Sequence, residues 1–151
     1  MYNGFMKLLA KNRRATFDYA ITSKVLAGLV LSGPEVKSAK LGNVSLKGSF
    51  ISIKDNEAWL NNAHFTPYAA AANLKLDPTR TRKLLLNRKE LDKLVAEKQS
   101  GIQIVPVSLL EERGLVKLEL GIGRSKKRYD KREVIKQRTQ VREANRQVKR
   151  S

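Results

Sequence analysis

Short apolar runs that come in pairs constrain the fold of this chain more than any other feature. Residues 50–53 and 58–60 flank one polar segment, and residues 102–110 and 115–122 flank another. Each arrangement is typical of a β-hairpin. In the last run, apolar and charged residues alternate with the period of two that a half-buried strand shows. The chain is therefore predicted to be mainly β.

Two short helices are predicted between the strands. Pro34 suits the first turn of one helix, and Gly42 suits its end. Asn87 and Glu90 have the spacing of a capping box for the second helix, which Gly101 closes. Several short strands with one or two helices, in about 120 residues, favour a small closed β-barrel of the OB type, a fold that often binds nucleic acid.

The proportion of basic residues rises sharply after Gly123. Residues 1–123 carry 19 basic and 11 acidic side chains, whereas residues 124–151 carry 12 basic and 3 acidic ones. We therefore predict three parts, which are a flexible N-terminus at residues 1–11, an RNA-binding barrel at residues 12–123 and a basic C-terminal tail at residues 124–151.

The predicted tail has few apolar residues with which to fold alone. Val134, Val141 and Val148 recur at every seventh position, and like charges crowd the other faces. So thin an apolar stripe buries little surface, and an isolated helix of this kind is marginal in water. We expect the tail to be disordered when free and helical when bound.

The net charge of +17 indicates a polyanionic partner. Tyr129 stands among several Lys and Arg residues, a combination that suits phosphate pairing together with base stacking. No run approaches the roughly 18–20 apolar residues that a membrane-spanning helix needs. Cysteine is absent, which fits a reducing compartment. These features predict a cytoplasmic RNA-binding protein without a membrane partner.

Catalytic chemistry is not predicted. His64 is the single histidine, so the chain has no histidine pair for a metal site, and a structural role for His64 is favoured over a general base. Residues 121–123 (Gly-Ile-Gly) lack the third glycine of a dinucleotide-binding loop. Asp55 and Glu57 lie in a predicted turn, where such residues favour bending. We expect no enzyme activity, no metal and no cofactor.

Several motifs resemble those of the SsrA-binding protein family, also called small protein B, the partner of transfer-messenger RNA (tmRNA) in bacteria. They stand at residues 12–15 (Asn-Arg-Arg-Ala), 33–38 (Gly-Pro-Glu-Val-Lys-Ser), 77–87 (Asp-Pro-Thr-Arg-Thr-Arg-Lys-Leu-Leu-Leu-Asn) and 126–132 (Lys-Lys-Arg-Tyr-Asp-Lys-Arg). The third motif is the most specific. The resemblance extends over nearly the whole chain, from Asn12 to about Arg142, and its motifs stand in an order that is difficult to obtain by chance.

The resemblance implies an OB-fold barrel that binds the tRNA-like domain of tmRNA and delivers this RNA to stalled ribosomes for trans-translation, which combines ribosome rescue with peptide tagging. The barrel would stand in for the missing anticodon arm. The tail would occupy the empty message channel near the decoding centre of the small subunit. Alanyl-tRNA synthetase and elongation factor Tu are indirect partners in this scheme.

Specific residues follow from the same resemblance. Those implied to contact tmRNA are Glu35, Leu85 and Asn87, of which Asn87 would be a helix cap, an RNA contact or both. The implied phosphate contacts are Arg13, Arg14, Lys37, Arg82 and Lys83. The implied ribosome-binding residues of the tail are Lys126, Lys127, Tyr129, Asp130, Lys131 and Arg132.

Two other classes of protein have to be weighed. A ribosomal protein with an arm threaded into ribosomal RNA explains the charge and the tail equally well, but it does not explain the ordered motifs. An RNA nuclease or modification enzyme needs a general base or a metal cluster, which one histidine and scattered carboxylates do not supply. The first of these is the main alternative.

Overall fold

The computed structural model describes residues 6–67 and 77–126. In these two ranges the elements follow one another as β1 (Met6–Lys11), α1 (Arg13–Asp18), β2 (Tyr19–Leu29), α2 (Gly33–Lys40), β3 (Val44–Ser45), β4 (Phe50–Lys54), β5 (Glu57–Asn61), β6 (His64–Phe65), β7 (Arg82–Leu85), α3 (Arg88–Gln99), β8 (Gln103–Glu112) and β9 (Leu115–Ser125). The described part is mainly β with short helices, as the sequence predicts.

Seven of the strands form one sheet in the order β1-β8-β9-β2-β7-β5-β4, and β3 pairs with β6 separately. In that order β4 stands five positions from β8, which would separate the two by about 24 Å in a flat sheet. Yet Cα atoms of β4 and β8 approach within 8 Å of one another. The sheet therefore coils around the core until β4 reaches β8.

The prediction of a closed barrel is wrong, because no hydrogen-bonded ladder joins β4 to β8 or to β1 within the described residues. On β8, the carbonyl oxygens of Pro106 and Val107 accept hydrogen bonds from the Asn12 side-chain amide and N–H, at 2.9 and 2.8 Å. Pro106 also has no N–H to donate. These groups of β8 bond to Asn12, and the sheet coils without a hydrogen-bonded ladder across its seam in the described residues.

Both predicted boundaries of the globular part also shift. Strand β1 pairs with β8 from Met6 to Lys11, and Leu9 packs against the core, so these residues are not the flexible segment that we predict. At the other end, β9 continues to Ser125, and the Lys126 N–H donates to the carbonyl of Asp18 at 2.8 Å. The break in composition at residue 123 therefore falls inside the last strand.

Local signals predict the two hairpins correctly. At the tip of β4–β5, Asp55 and Asn56 have φ values of +53° and +58°, and at the tip of β8–β9, Arg113 and Gly114 have +50° and +83°. Positive φ at both central residues is the mark of a type I′ turn, whose twist matches that of the paired strands. Each hairpin closes through two residues.

The two predicted helices are confirmed as α2 and α3. Ser32 and Asn87 are their N-caps, and each forms a capping box with the Glu three residues later. Leu94 of α3 is fully buried in the core. Helix α1 is not predicted: it has six residues and no capping bond from the Asn12 side chain. None of the helices in the described ranges has the length and apolar character to cross a membrane.

Candidate nucleic-acid interface

Strand β7 divides four consecutive residues between the core and the surface. Arg82 and Leu84 are buried, whereas Lys83 is partly exposed and Leu85 is 52% exposed. The alternation follows from the period of two in a strand. The Lys83 ammonium group pairs with Glu57 on the neighbouring β5 at 3.0 Å. The outer face of β7 thus carries one positive and one apolar group.

The first turn of α3 follows directly after this face. Asn87 Oδ1 accepts a hydrogen bond from the Glu90 N–H at 2.8 Å, and Glu90 Oε1 accepts one from the Asn87 N–H at 3.2 Å. Asn87 is therefore the helix cap, as its spacing predicts, and both it and Arg88 are exposed. The positive end of the helix dipole adds to this charge. We call Lys83, Leu85, Asn87 and Arg88 the β7–α3 surface.

Three charged residues meet behind this surface. Glu35, in the first turn of α2, has a side chain that is 6% exposed. Its Oε2 accepts hydrogen bonds from Arg80 Nε at 3.0 Å and from Arg82 Nε at 2.7 Å. Its Oε1 accepts from the Ser32 N–H at 2.9 Å and from Arg80 Nη2. We call Glu35, Arg80 and Arg82 the Glu35 cluster, which joins the start of α2 to the start of β7.

Arg82 has no exposed surface, and all three of its side-chain nitrogens have partners inside the protein. Its Nη1 donates to the carbonyls of Ala63 and Arg80 at 2.9 and 3.0 Å. Its Nη2 donates to the carbonyl of Pro78 at 2.9 Å and lies 2.6 Å from Glu35 Oε2. Four of the five N–H donors of the guanidinium group therefore make hydrogen bonds within the protein, and Nη2 also makes an ion pair. The implied phosphate contact through Arg82 is therefore corrected, because its side chain holds the interior together.

The Glu35 carboxylate is likewise engaged within the protein. Burial raises the pKa of this group, but hydrogen bonds from Arg80, the Ser32 N–H and Arg82 together outweigh burial and lower the pKa from 4.5 to about 2. Glu35 is therefore ionised at neutral pH. Both of its oxygens have protein partners, so the structure offers neither of them to RNA. The implied direct contact of Glu35 with RNA does not fit this geometry.

We expect the stability that Glu35 contributes to be lost in acid. A carboxylate with a lowered pKa in the folded state stabilises the fold above its unfolded pKa, and protonation removes that contribution. The contribution is complete above pH 4.5 and falls away towards pH 2. At neutral pH the shift corresponds to about 3 kcal/mol.

Urea unfolding of the wild type and of Glu35→Gln measures this loss. The difference in unfolding free energy between the two proteins should shrink by about half between pH 7 and pH 3, because a protonated Glu35 resembles Gln. A difference that stays constant over this range would contradict the prediction.

The two arginines of α1 lie far from the β7–α3 surface. Arg13 and Arg14 are exposed in α1, which leads into β2 at Tyr19. Strand β7 instead pairs with the far end of β2, at Gly28 and Leu29. Nine residues of extended strand between these points span about 30 Å. The implied RNA contacts therefore lie at both ends of β2.

The surface around α1 borders the open seam between β4 and β8. Arg14, Tyr19, Lys47 and Phe50 line a cleft there, and Phe50 is 55% exposed. We call Arg13, Arg14, Lys47 and Phe50 the α1 surface. Lys47 and Phe50 are not among the site residues that the sequence predicts, because only the coiling of the sheet brings β4 beside α1.

Comparison with known proteins identifies the family. The sequence model described as "SmpB protein" matches residues 9–150. The chain belongs to the SmpB family. The SsrA-binding protein of Anoxybacillus flavithermus is 45% identical over 147 residues, which are 97% of this chain and 96% of that protein. That of Enterococcus faecalis is 43% identical over 150 residues, 99% and 97% of the two chains. The family resemblance is thereby confirmed.

A solved structure shares the fold. It is described as "tmRNA-SmpB: a journey to the center of the bacterial ribosome", and its chain superposes on this SmpB-family chain with a TM-score of 0.65 and 40% sequence identity. The match covers 83% of this chain and 92% of that chain.

The remaining site residues of this SmpB-family chain fall into two groups. Lys37 is exposed on α2, and Lys126 donates from Nζ to the Thr16 carbonyl at 2.9 Å. The tail residues Lys127, Tyr129, Asp130, Lys131 and Arg132 lie outside the described residues. In the described ranges no three side chains of the His, Asp or Glu type are grouped so that they could hold a metal ion.

Proposed function

We propose that this chain binds the tRNA-like domain of tmRNA and delivers that RNA to stalled ribosomes for trans-translation. The observation that carries the proposal is the match over 83% of the chain to an SmpB whose solved structure is described with tmRNA and the ribosome. The net charge of +17 supplies the attraction to RNA. No chemistry by the chain itself is needed for this role.

The two basic surfaces support a role that joins two RNA partners. The β7–α3 surface combines the Lys83 charge, the exposed Leu85 and the Asn87 helix cap, which suits a structured RNA that is recognised by shape. The α1 surface, which starts at the other end of β2 and reaches Phe50 on β4, two strands from β7, offers a second set of cations beside an exposed aromatic ring. The first surface is proposed to bind the tRNA-like domain.

Residues beyond Lys126 are proposed to contact the ribosome. Lys126 is the last residue that the structure describes, and it lies beside α1, so the segment that follows it starts next to the α1 surface. The basic tail, with Tyr129 as its aromatic residue, is proposed to enter the empty message channel and to become helical there. Elongation factor Tu and alanyl-tRNA synthetase are then indirect partners, through the RNA that this chain carries.

The proposal predicts selective binding of the tRNA-like domain of tmRNA. The full chain should prefer this RNA to an ordinary tRNA of similar length by tenfold or more, because charge alone cannot distinguish the two. The logarithm of the affinity should fall with the logarithm of the salt concentration, with a slope of about −0.7 to −0.9 per phosphate contact. Equal affinity for both RNAs would contradict the proposal.

A matched pair of variants tests where this RNA binds. Leu85→Ser should weaken binding about tenfold, as expected for the loss of an apolar or stacking contact. Leu8→Ser is the control, because Leu8 is also an exposed strand leucine, 45% exposed, but on β1, four strands away from β7. If the two substitutions weaken binding equally, the β7–α3 surface is not the binding site of the tRNA-like domain.

A further inference from the structure

The Glu35 cluster carries one positive charge in excess. Two guanidinium groups face one carboxylate, and all three side-chain nitrogens of Arg82 have partners inside the protein. Glu35 and Arg82 are 6% and 0% exposed, whereas the Arg80 side chain is 31% exposed. The excess charge of the cluster therefore reaches solvent at Arg80.

Arg80 is held by one edge of its guanidinium group and open at another. Nε and Nη2 form a two-pronged contact with the two oxygens of Glu35. The other contacts are long, from Nη2 to the Val30 carbonyl at 3.4 Å and from Nη1 to the Thr81 carbonyl at 3.5 Å. The Nη1 side can therefore donate to an external acceptor. A guanidinium that is already oriented loses little rotational freedom when it binds.

The backbone that carries Arg80 is fixed as well. Asp77 Oδ1 accepts hydrogen bonds from the Thr79 N–H at 2.9 Å and from its hydroxyl at 3.1 Å. The Thr81 hydroxyl donates to Asn61 Oδ1 at 3.1 Å. Asp77 is the nearest acidic residue along the chain; its carboxylate accepts these two bonds and also attracts the buried Arg82. The turn leads directly into β7, so Arg80 precedes the β7–α3 surface along the chain.

We infer that Arg80 is a phosphate-binding residue of the RNA interface, and that Glu35 is a positioning residue that holds the Arg80 guanidinium at the surface. The inference rests on the proposed function, and it assigns roles in RNA binding to two individual residues. A carboxylate by itself repels phosphate. Beneath Arg80, however, it can promote RNA binding without touching the RNA, since it orients a stronger donor.

A double-mutant cycle tests the inference with the full chain and the tRNA-like domain of tmRNA. Arg80→Ala should weaken binding about tenfold, the effect of one charge-assisted contact, and should reduce the salt slope by about one phosphate. Glu35→Gln should weaken binding to a similar extent after correction for the folded fraction. In the Arg80→Ala background, Glu35→Gln should change the affinity by less than about twofold, because its effect passes through Arg80.

The controls separate this inference from its alternatives. Lys98→Ala removes an equivalent exposed charge from the last turn of α3 and should leave the affinity nearly unchanged. If Glu35→Gln weakens binding equally in both backgrounds, Glu35 does not act through Arg80 and the inference is overturned. Wild-type affinity of Arg80→Ala, after the same correction for the folded fraction, would overturn it as well. If the wild type shows no preference for tmRNA, this result counts against the proposed function instead. The double-mutant cycle can then be measured with any RNA that the chain binds.

Discussion

A chain truncated after Lys126 should keep its preference for tmRNA and lose peptide tagging on stalled ribosomes. The truncation removes ten basic and three acidic side chains, which is +7 of the net charge of +17. Every strand of the described sheet remains, because β9 ends at Ser125. The cut belongs after Lys126 and not after residue 123, since the Lys126 N–H bonds to Asp18 and β9 pairs with both β2 and β8 up to Gly123 or beyond.

The measurement is a tagging assay on ribosomes stalled at the end of a message, with tmRNA binding measured in parallel. A chain with the same tail residues in scrambled order is the control that separates charge from sequence. Full tagging by the truncated chain would show that the tail is dispensable. Within the intact tail, Tyr129→Ala should reduce function more than any single Lys→Ala, because a lost stacking contact costs ~1–3 kcal/mol and one phosphate contact is one among many.

Arg82→Ala should destabilise the fold by about 3–5 kcal/mol, whereas Lys83→Ala should cost at most about 1 kcal/mol. The two residues are adjacent and carry the same charge. Loss of the Arg82 guanidinium leaves the carbonyl of Ala63 without its donor, removes one of the two donors to the carbonyl of Pro78, and opens a space beneath the Phe65 ring, whose centroid lies 4.0 Å from that group. The Lys83 side chain, by contrast, makes one half-exposed ion pair, with Glu57.

Urea unfolding and RNA binding measured together distinguish the two roles. Arg82→Ala should lower RNA binding only in proportion to the loss of folded protein, whereas Lys83→Ala should lower RNA binding without unfolding. Equal stability of the two variants would show that the interior contacts of Arg82 contribute little.

The structure makes Arg82 and Glu35 interior partners although the sequence resemblance implies that both contact RNA. Arg82 stands in a run of basic residues, which by itself indicates a solvated or RNA-binding segment. One sequence signal did point inwards: in a strand, Arg82 shares the face of Leu84 and opposes Lys83 and Leu85. An inward arginine, however, needs a buried carboxylate as its partner. Here that partner is Glu35, which is 47 residues away in the chain and is brought beside Arg82 only by the fold.

Sequence alone determined the features whose stabilising contacts span a few residues. The caps of α2 and α3 join residues three apart, and the hairpin tips depend on two residues with positive φ. The concentration of basic charge beyond residue 123 is a property of composition, and the family follows from motifs in order. Interactions between residues that are only two or three positions apart can be predicted from the local sequence.

Only the tertiary structure decided how distant segments share the surface and the core. At the open seam, Asn12 bonds to Pro106, 94 residues away, and β1 is held in place by its pairing with β8. The length of β2 places α1 and β7 at opposite ends of that strand, and the coiling of the sheet brings β4 beside α1. A charged side chain is buried only where a partner offsets its loss of hydration, and that partner is supplied by the fold and not by its neighbours in sequence.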